Sequence, residues 1–295
     1  MPMSTRRETI NFFKGMAFLS PWLLGFCLFT ALPIGLSFYY SFCDYSTYHP
    51  PVFRGFNNYR NLLHDPNFWT AMRNSLEYSA LALPMALVLS LSVAILLNTK
   101  VVGRSIFRTI IFIPSLIPTV ASAMLWMWLY NNKLGLVNYT IGLLHLSGPQ
   151  WLGEFWVVPA LVFMSLWGIG NTVVIYLAGL QDVPRELYEA ADLDGAGTWR
   201  KLWNVTLPMI SPVIFFNLVM AVIGILQVFD APFIMTGGGP NRASYFFTQF
   251  LYDNAFIYLK FGYASALAWI QFLIVLVMTG VTFLTSRNWV HYQGR

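Results

Sequence analysis

Charged residues divide this chain into long apolar runs joined by short polar segments. Six runs of at least 22 residues carry no charge: Gly15 to Cys43, Tyr78 to Thr99, Thr109 to Asn132, Phe155 to Gln181, Leu202 to Phe229 and Phe261 to Ser286. A helix crossing a hydrocarbon core needs ~20 apolar residues, so each run is long enough to span. A seventh uncharged run, Leu134 to Gly153, is interrupted by glycines, by Asn138, His145 and Gln150, and by Pro149, and reads as an interfacial segment. The pattern predicts an all-α integral membrane protein with six transmembrane helices. It divides into a segment 1–15, a six-helix domain 16–286 with a polar loop at 181–206, and a tail 287–295.

Composition agrees, because 57% hydrophobic and 10% charged residues leave too little polar surface for a soluble globule. Arg6, Arg7 and Lys14 precede the first run as they would a secretory signal, but the run exceeds the usual ~7 to 15 apolar residues and no small-x-small cleavage site follows Thr30. It is therefore expected to remain as the first helix. With the N-terminus inside, eleven of the seventeen Lys and Arg residues fall on the cytoplasmic side: Arg6, Arg7, Lys14, Lys100, Arg104, Arg108, Arg185, Arg200, Lys201, Arg287 and Arg295. Arg54, Arg60, Arg73, Lys133, Arg242 and Lys260 fall outside. The bias predicts both termini in the cytoplasm of a multi-pass protein. The formal charge of +5 then reports topology, and no nucleic-acid partner is indicated.

No catalytic apparatus is visible. Cys27 and Cys43 would lie about 24 Å apart along one helix and cannot pair. His49, His64, His145 and His291 have no metal-ligand spacing, and no phosphate-binding glycine loop or hydrolase motif occurs. The chain is read as a non-enzyme with no cofactor or metal of its own. The spans also lack titratable groups, with Glu77 and Asp230 only at their borders, which argues against an ion-coupled secondary carrier. A non-transporting membrane scaffold stays open as an alternative.

The polar loop has local structure written into it. Pro184 suits a helix start, and Arg185 to Leu193 places Leu187, Tyr188, Ala190 and Ala191 on one face. Gly195 and Gly197 interrupt the helix, and Thr198 is placed to cap a second one carrying Trp199, Leu202, Trp203 and Val205. Pro208 and Pro212 mark the entry to the fifth span. A helix lying in lipid is usually rich in Lys and Arg, whereas Asp182, Glu186, Glu189, Asp192 and Asp194 outnumber Arg185, Arg200 and Lys201. The loop therefore predicts a protein partner.

Glu189-Ala190-Ala191, three residues, Gly195, nine residues, Val205, one residue and Leu207-Pro208 resemble the signature of binding-protein-dependent ABC importer permeases, with Val205 in place of the more usual Ile. Further motifs are similar to the carbohydrate branch, the maltose- and glycerol-phosphate-type permeases. They are Asn74-Ser75-Leu76, Phe107-Arg108-Thr109 with Pro114 and Pro118, Gly135-Leu136-Val137-Asn138, Phe229-Asp230 and Thr236-Gly237-Gly238-Gly239-Pro240. The likeness runs over nearly the whole chain and is to the first permease of a two-permease system.

That resemblance implies a type I ABC importer permease fold in a bacterial or archaeal cytoplasmic membrane, and a carbohydrate or sugar-like solute moved by alternating access. It implies as partners a second, non-identical permease, two ATP-binding subunits that carry ATP and Mg, and an extracytoplasmic solute-binding protein. Coupling to the ATPase would fall to Leu187, Tyr188, Glu189, Ala190, Ala191, Asp194, Gly195, Leu207 and Pro208. For the solute path, amides at membrane depth suggest Asn171, Asn217, Gln227 and Gln271. Trp167, Tyr176, Phe229 and Trp269 are nearby aromatics that suit sugar rings. Trp126, Trp128 and Tyr130 read as an interfacial aromatic belt, and Asp230 as a holder of the following loop.

Overall fold

In a computed structural model the chain is described over residues 3–99 and 102–291, with side chains from Glu8 onward. Lys100 and Arg295, counted above in the cytoplasmic set, lie outside the described residues. So do the extreme ends of the two terminal segments and the side chains of Arg6 and Arg7.

The chain opens with α1 (Met3–Phe26), a π-helical turn Cys27–Ala31 and α2 (Leu32–Ser41). From Glu8 to Ser41 these form one apolar helix long enough to span a bilayer. There follow β1 (Cys43–Ser46), β2 (His49–Phe53), α3 (Asn57–His64) and α4 (Pro66–Asn98). Next come α5 (Arg104–Phe112), a 3-10 turn Ile113–Leu116, α6 (Thr119–Leu129), α7 (Leu136–Leu143), α8 (Val157–Trp167) and α9 (Gly170–Gln181). The polar loop supplies α10 (Arg185–Leu193) and α11 (Thr198–Lys201), and a π-helical stretch Leu202–Thr206 leads into α12 (Leu207–Ile225). The chain closes with α13 (Asp230–Thr236), α14 (Phe247–Tyr252) and α15 (Phe261–Ser286).

Among the described residues four helices are long and apolar enough to span, and two bent pairs bring the number to six if each counts once. One transmembrane helix was expected in each of the six runs, and two runs are bent. The third bends by 101° between Arg104–Leu116 and Thr119–Leu129, where Pro114 and Pro118 remove amide donors. The fourth bends by 49° between α8 and α9, at Gly168. The seventh run forms only the eight-residue α7, about 12 Å long, too short to cross. The all-α expectation needs a further correction, because Cys43 lies in a β-hairpin. Cys27 and Cys43 are both free.

Two compact units are present. One joins Met1–His64 to Leu251–Ile270. In it the antiparallel hairpin pairs Cys43 with Phe53 and Ser46 with His49. A two-stranded hairpin is marginal alone, and here α3 steadies it: Asn58 Nδ2 donates to the Ser41 and Cys43 carbonyls at 2.9 and 2.8 Å, and Tyr59 OH to Ser41 Oγ at 2.8 Å.

The other unit joins Asp65–Phe250 to Gln271–Arg295. Its central post is α4, started by Pro66 and by Asp65, whose carboxylate accepts the Asn67 N–H at 2.8 Å. Buried Ser79, Ala82, Ser90 and Ala94 keep α4 thin, so that α8 and α9 pack closely against it. Near its start Asn74 Nδ2 donates to the carbonyls of Arg242 and Tyr245 at 2.7 and 3.2 Å, and Ser75 Oγ accepts the Phe247 N–H at 2.8 Å. Two motifs 168 residues apart are thereby fastened together. Trp126 and Tyr130, expected in an aromatic belt, are buried in the core beside Tyr78, Leu161 and Phe246, and Trp128 alone of the three is exposed. Tyr130 OH donates to the Ala160 carbonyl at 2.9 Å, which ties α6 to α8.

At the start of α9 the backbone of Gly170 lies so close to the preceding broken helix that an added Cβ would sit 2.7 Å from Ile111 O and 2.9 Å from Phe112 Cα. Gly170→Ala must push backbone apart, at a cost of about 1–3 kcal/mol. A fall in melting temperature of the detergent-purified protein is expected, and an unchanged melting curve would show that these segments yield freely.

Candidate functional site

The polar loop folds as a helix, a turn and a second helix. Pro184 precedes α10 as its N-cap in an extended conformation, one residue earlier than a first-turn proline, and α10 covers the expected Arg185–Leu193. Gly195 has φ +70°, a left-handed conformation that side chains rarely adopt, and reverses the chain. The second helix is capped differently from expectation. Gly197, with φ −70° and ψ 170°, takes the N-cap position, and Thr198 is the first helical residue with no capping bond to make.

The larger departure comes after it. Pro208 and Pro212 were expected to mark a fresh start for the fifth span, yet Thr198–Ile225 is one helix of 28 residues. The π-helical stretch Leu202–Thr206 absorbs the prolines: Pro208 stands in the first turn of α12, where its missing N–H costs little, and Pro212 lies inside. The second helix of the loop and the membrane segment are thus a single rod.

The side chains of the loop face two ways. Glu189 and Ala190 are exposed, Leu187 is 38% exposed, Leu193 90%, Trp199 74% and Trp203 64%. Tyr188, placed by periodicity on the same contact face, turns inward instead. It packs against a cluster containing Val173, Tyr176, Leu177 and Ile210, and its hydroxyl shares a 2.9 Å hydrogen bond with Thr206 Oγ1. Leu207 packs on this same cluster and Pro208 is half-buried, so both belong to the support of the loop. Ala191, Asp194, Arg200, Lys201 and Asn204 line a cleft of about 510 Å³ between the two helices, and Lys201 Nζ bonds to the Asp192 carboxylate across its rim.

A second feature lies where the two broken runs meet. A cavity of about 280 Å³ is bounded by Ser115 and Ile117 at the first break, Thr119 and Ser122 of α6, Ser165, Trp167 and Gly168 at the second break, and Tyr78, Val228 and Phe246. No charged residue lines it. Its hydroxyls come from positions adjoining the breaks, and two of them also close freed carbonyls: Ser115 Oγ donates to Phe112 O and Ser165 Oγ to Val162 O, each at 2.7 Å.

Of the eight residues expected along a solute path, Trp167 alone lines this cavity. Its ring meets Trp126 edge to face with centroids 5.9 Å apart. Gln271 donates to Leu226 O at 3.1 Å and to Thr248 Oγ1 at 2.8 Å, so it fastens helices together. Asn217 and Tyr176 are buried in adjoining helices, with the Asn217 side chain beside the Tyr176 hydroxyl. Asn171 and Gln227 are exposed. Trp269 packs edge to face on Phe38 at 4.8 Å, and Phe229 stacks on Phe233 at 5.0 Å. The amide-based reading missed Ser115, Thr119, Ser122 and Ser165. The usable signal was the pairing of proline or glycine breaks with serine, since broken spans line cavities.

The sequence model of the family described as "Binding-protein-dependent transport system inner membrane component" matches residues 86–290. The chain is 34% identical to a probable ABC transporter permease protein, YesP of Bacillus subtilis, over 99% of its length and 95% of the relative's. It is 32% identical to the trehalose/maltose transport system permease protein MalF of Thermococcus litoralis, covering 92% and 93% respectively. Among solved structures, a bacterial ABC transporter involved in the import of the acidic polysaccharide alginate superposes with a TM-score of 0.85 at 24% identity, covering 97% of this chain and 99% of that one.

Because the Tyr188 hydroxyl is held by Thr206, Tyr188→Phe removes a bond worth about 1 kcal/mol within the chain. Amide hydrogen exchange across Arg185–Leu193 should quicken several-fold in the protein alone, with no partner added. Unchanged exchange would return Tyr188 to the docking surface.

Proposed function

Since the chain belongs to the binding-protein-dependent transport system inner membrane components, we propose that it is the first permease of a two-permease ABC sugar importer, coupled to its ATPase through the Glu189 loop. The observation that carries this reading is the unbroken helix Thr198–Ile225. It joins the second helix of the exposed loop to the membrane core, so a push on that helix reaches the core along one continuous helix. Both termini and the loop are read as cytoplasmic, and the partners are a non-identical permease, two ATP-binding subunits that hydrolyse ATP, and an external binding protein.

In this reading the ATPase cleft takes Leu187, Leu193, Trp199 and Trp203, and Glu189 and Asp194 add directed polar contacts. Burying an apolar side chain such as Leu187 contributes on the order of 1.5 to 3 kcal/mol, so a few such anchors can transmit a nucleotide-driven motion. Gly195 keeps the two short helices at the angle the cleft requires. Closure of the ATP-bound dimer moves the α11–α12 rod and turns the path outward, and solute enters from the binding protein. Hydrolysis lets the rod return, and solute leaves inward.

The cavity at the two breaks is the place on this path where the chain touches solute. Serine and threonine hydroxyls both donate and accept, as sugar hydroxyls require, and Trp167, Tyr78 and Phe246 offer ring faces. The alternative of a non-transporting scaffold gives no reason for a rigid rod between an exposed loop and such a cavity.

Two experiments test the reading. Glu189→Ala and Gly195→Asp should each abolish transport and weaken ATPase association while the permease still inserts; transport at the normal rate with intact association would remove the coupling assignment. Ser115→Ala with Ser122→Ala should lower solute-stimulated ATPase turnover of the assembled transporter about tenfold, the factor carried by ~1.4 kcal/mol. A solute response unchanged in size and dose dependence would place the path elsewhere.

A further inference from the structure

Between Glu77 and Glu154 the chain contains no acidic residue, yet α5 places Arg104 and Arg108 one turn apart on one face. Both side chains are half-buried, and the Nε of Arg104 and the Nε and Nη2 of Arg108 are buried without a hydrogen-bond partner among the described residues. The bond recorded for the pair runs from Arg104 Nη2 to the neutral Asn98 Oδ1 at 3.4 Å. The ion pairs recorded among the described residues, Arg73 with Glu77 and Lys201 with Asp192, involve neither arginine. Like charges at this spacing repel, and a partly buried cation with unfilled donors is costly unless an anion accompanies it.

The rest of α5 shows what kind of anion fits. Ile106, Phe107 and Ile110 are 65%, 50% and 58% exposed, so the helix carries cations on one side and uncovered apolar side chains on another. That division suits a helix at a bilayer surface, where anionic headgroups attract cations and apolar side chains meet acyl chains. Two arginines suit a phosphate better than two lysines would, because the planar fork meets two oxygens at once.

We propose that Arg104 and Arg108 form a binding site for the phosphate of an anionic phospholipid, with Ile106, Phe107 and Ile110 lying along its acyl chains. The phosphodiester supplies the missing counter-charge, and anchors the end of α5 from which the chain runs to the first helix break. The site rests on the transporter orientation given above only for the leaflet it occupies, the cytoplasmic one.

The test uses the transporter assembled with its partner subunits in nanodiscs of phosphatidylcholine, with or without phosphatidylglycerol, and counts retained lipids by native mass spectrometry. The wild type should retain phosphatidylglycerol over phosphatidylcholine by about tenfold, and Arg104→Gln with Arg108→Gln should lose that preference. Arg104→Lys with Arg108→Lys keeps both charges, so it guards against a folding defect, and should retain part of it. Lys133→Gln, on the opposite side, should retain all of it. Equal preference in the wild type and the glutamine variant would overturn the site. Inorganic phosphate is the second arm: its failure to displace phosphatidylglycerol supports a lipid, and its displacement of the lipid would assign the arginines to a soluble anion and overturn the proposal. Gly195→Cys, with Cys27→Ser and Cys43→Ser and labelled from each side, reads orientation separately. Labelling from outside alone would reverse the topology and overturn the leaflet, and the lipid count would still decide whether the site exists.

Discussion

A backbone amide left without a partner in hydrocarbon costs several kcal/mol, so a helix that breaks at membrane depth must be sheltered by protein or open onto water. This chain breaks two of its runs, at the 3-10 turn Ile113–Leu116 and at Gly168. It shelters them against each other. The missing side chain of Gly170 lets α9 begin against the carbonyl of Ile111 and the hydroxyl of Ser115, and serines on both segments bond to carbonyls of the helices that end there. The cavity is the remaining space between the two breaks, so the architecture and the candidate solute contact have one physical origin.

The same economy appears in how the unit is tied. The first turns of α4 hold the loop 242–247 through Asn74 and Ser75, and the rings of Phe246 and Phe247 pack on Tyr78 and Phe68 of the same helix. Further along, small side chains on α4 admit α8 and α9, and Gly179 of α9 approaches α12 closely enough that a Cβ would lie 2.7 Å from Val213 Cγ2. Hydrophobic attraction does not drive helices together in lipid, so closeness and hydrogen bonds must. The rod Thr198–Ile225 is held by these close contacts and by Tyr188 on Thr206.

Periodicity and charge showed where the runs, the polar loop and its Gly195 turn would lie, because those features depend on local preferences and on the cost of burying charge. The breaks were harder to see. A proline inside an apolar run bends a helix or rides in a first turn according to its tertiary neighbours: Pro118 accompanies the 101° bend, and Pro208 is absorbed into a continuous rod by a π-helical stretch. Amides were singled out because they are costly at membrane depth and both donate and accept, yet Gln271 meets that cost by bonding within its own chain. Tyr188 shares a face with Leu187 by spacing alone, and Thr206, 18 residues on, decides its direction. The hairpin at Cys43 left little trace, since nine paired residues with two prolines have no clean alternation.

An uncharged cavity lined by four serine and threonine hydroxyls has a consequence for selectivity. Ser115 and Ser165 already donate to backbone carbonyls and still have lone pairs to offer, so such a lining accepts many polyols with similar energy and rejects few. A path also needs weak sites, because solute must leave as readily as it enters. Discrimination of 10⁴ or more requires a fixed buried polar group left unpaired by the wrong ligand, and a lining of such hydroxyls does not provide one. A permease of this family can therefore leave the fine choice of sugar to an external binding protein, and a cavity of this chemistry need only satisfy hydroxyls in passing.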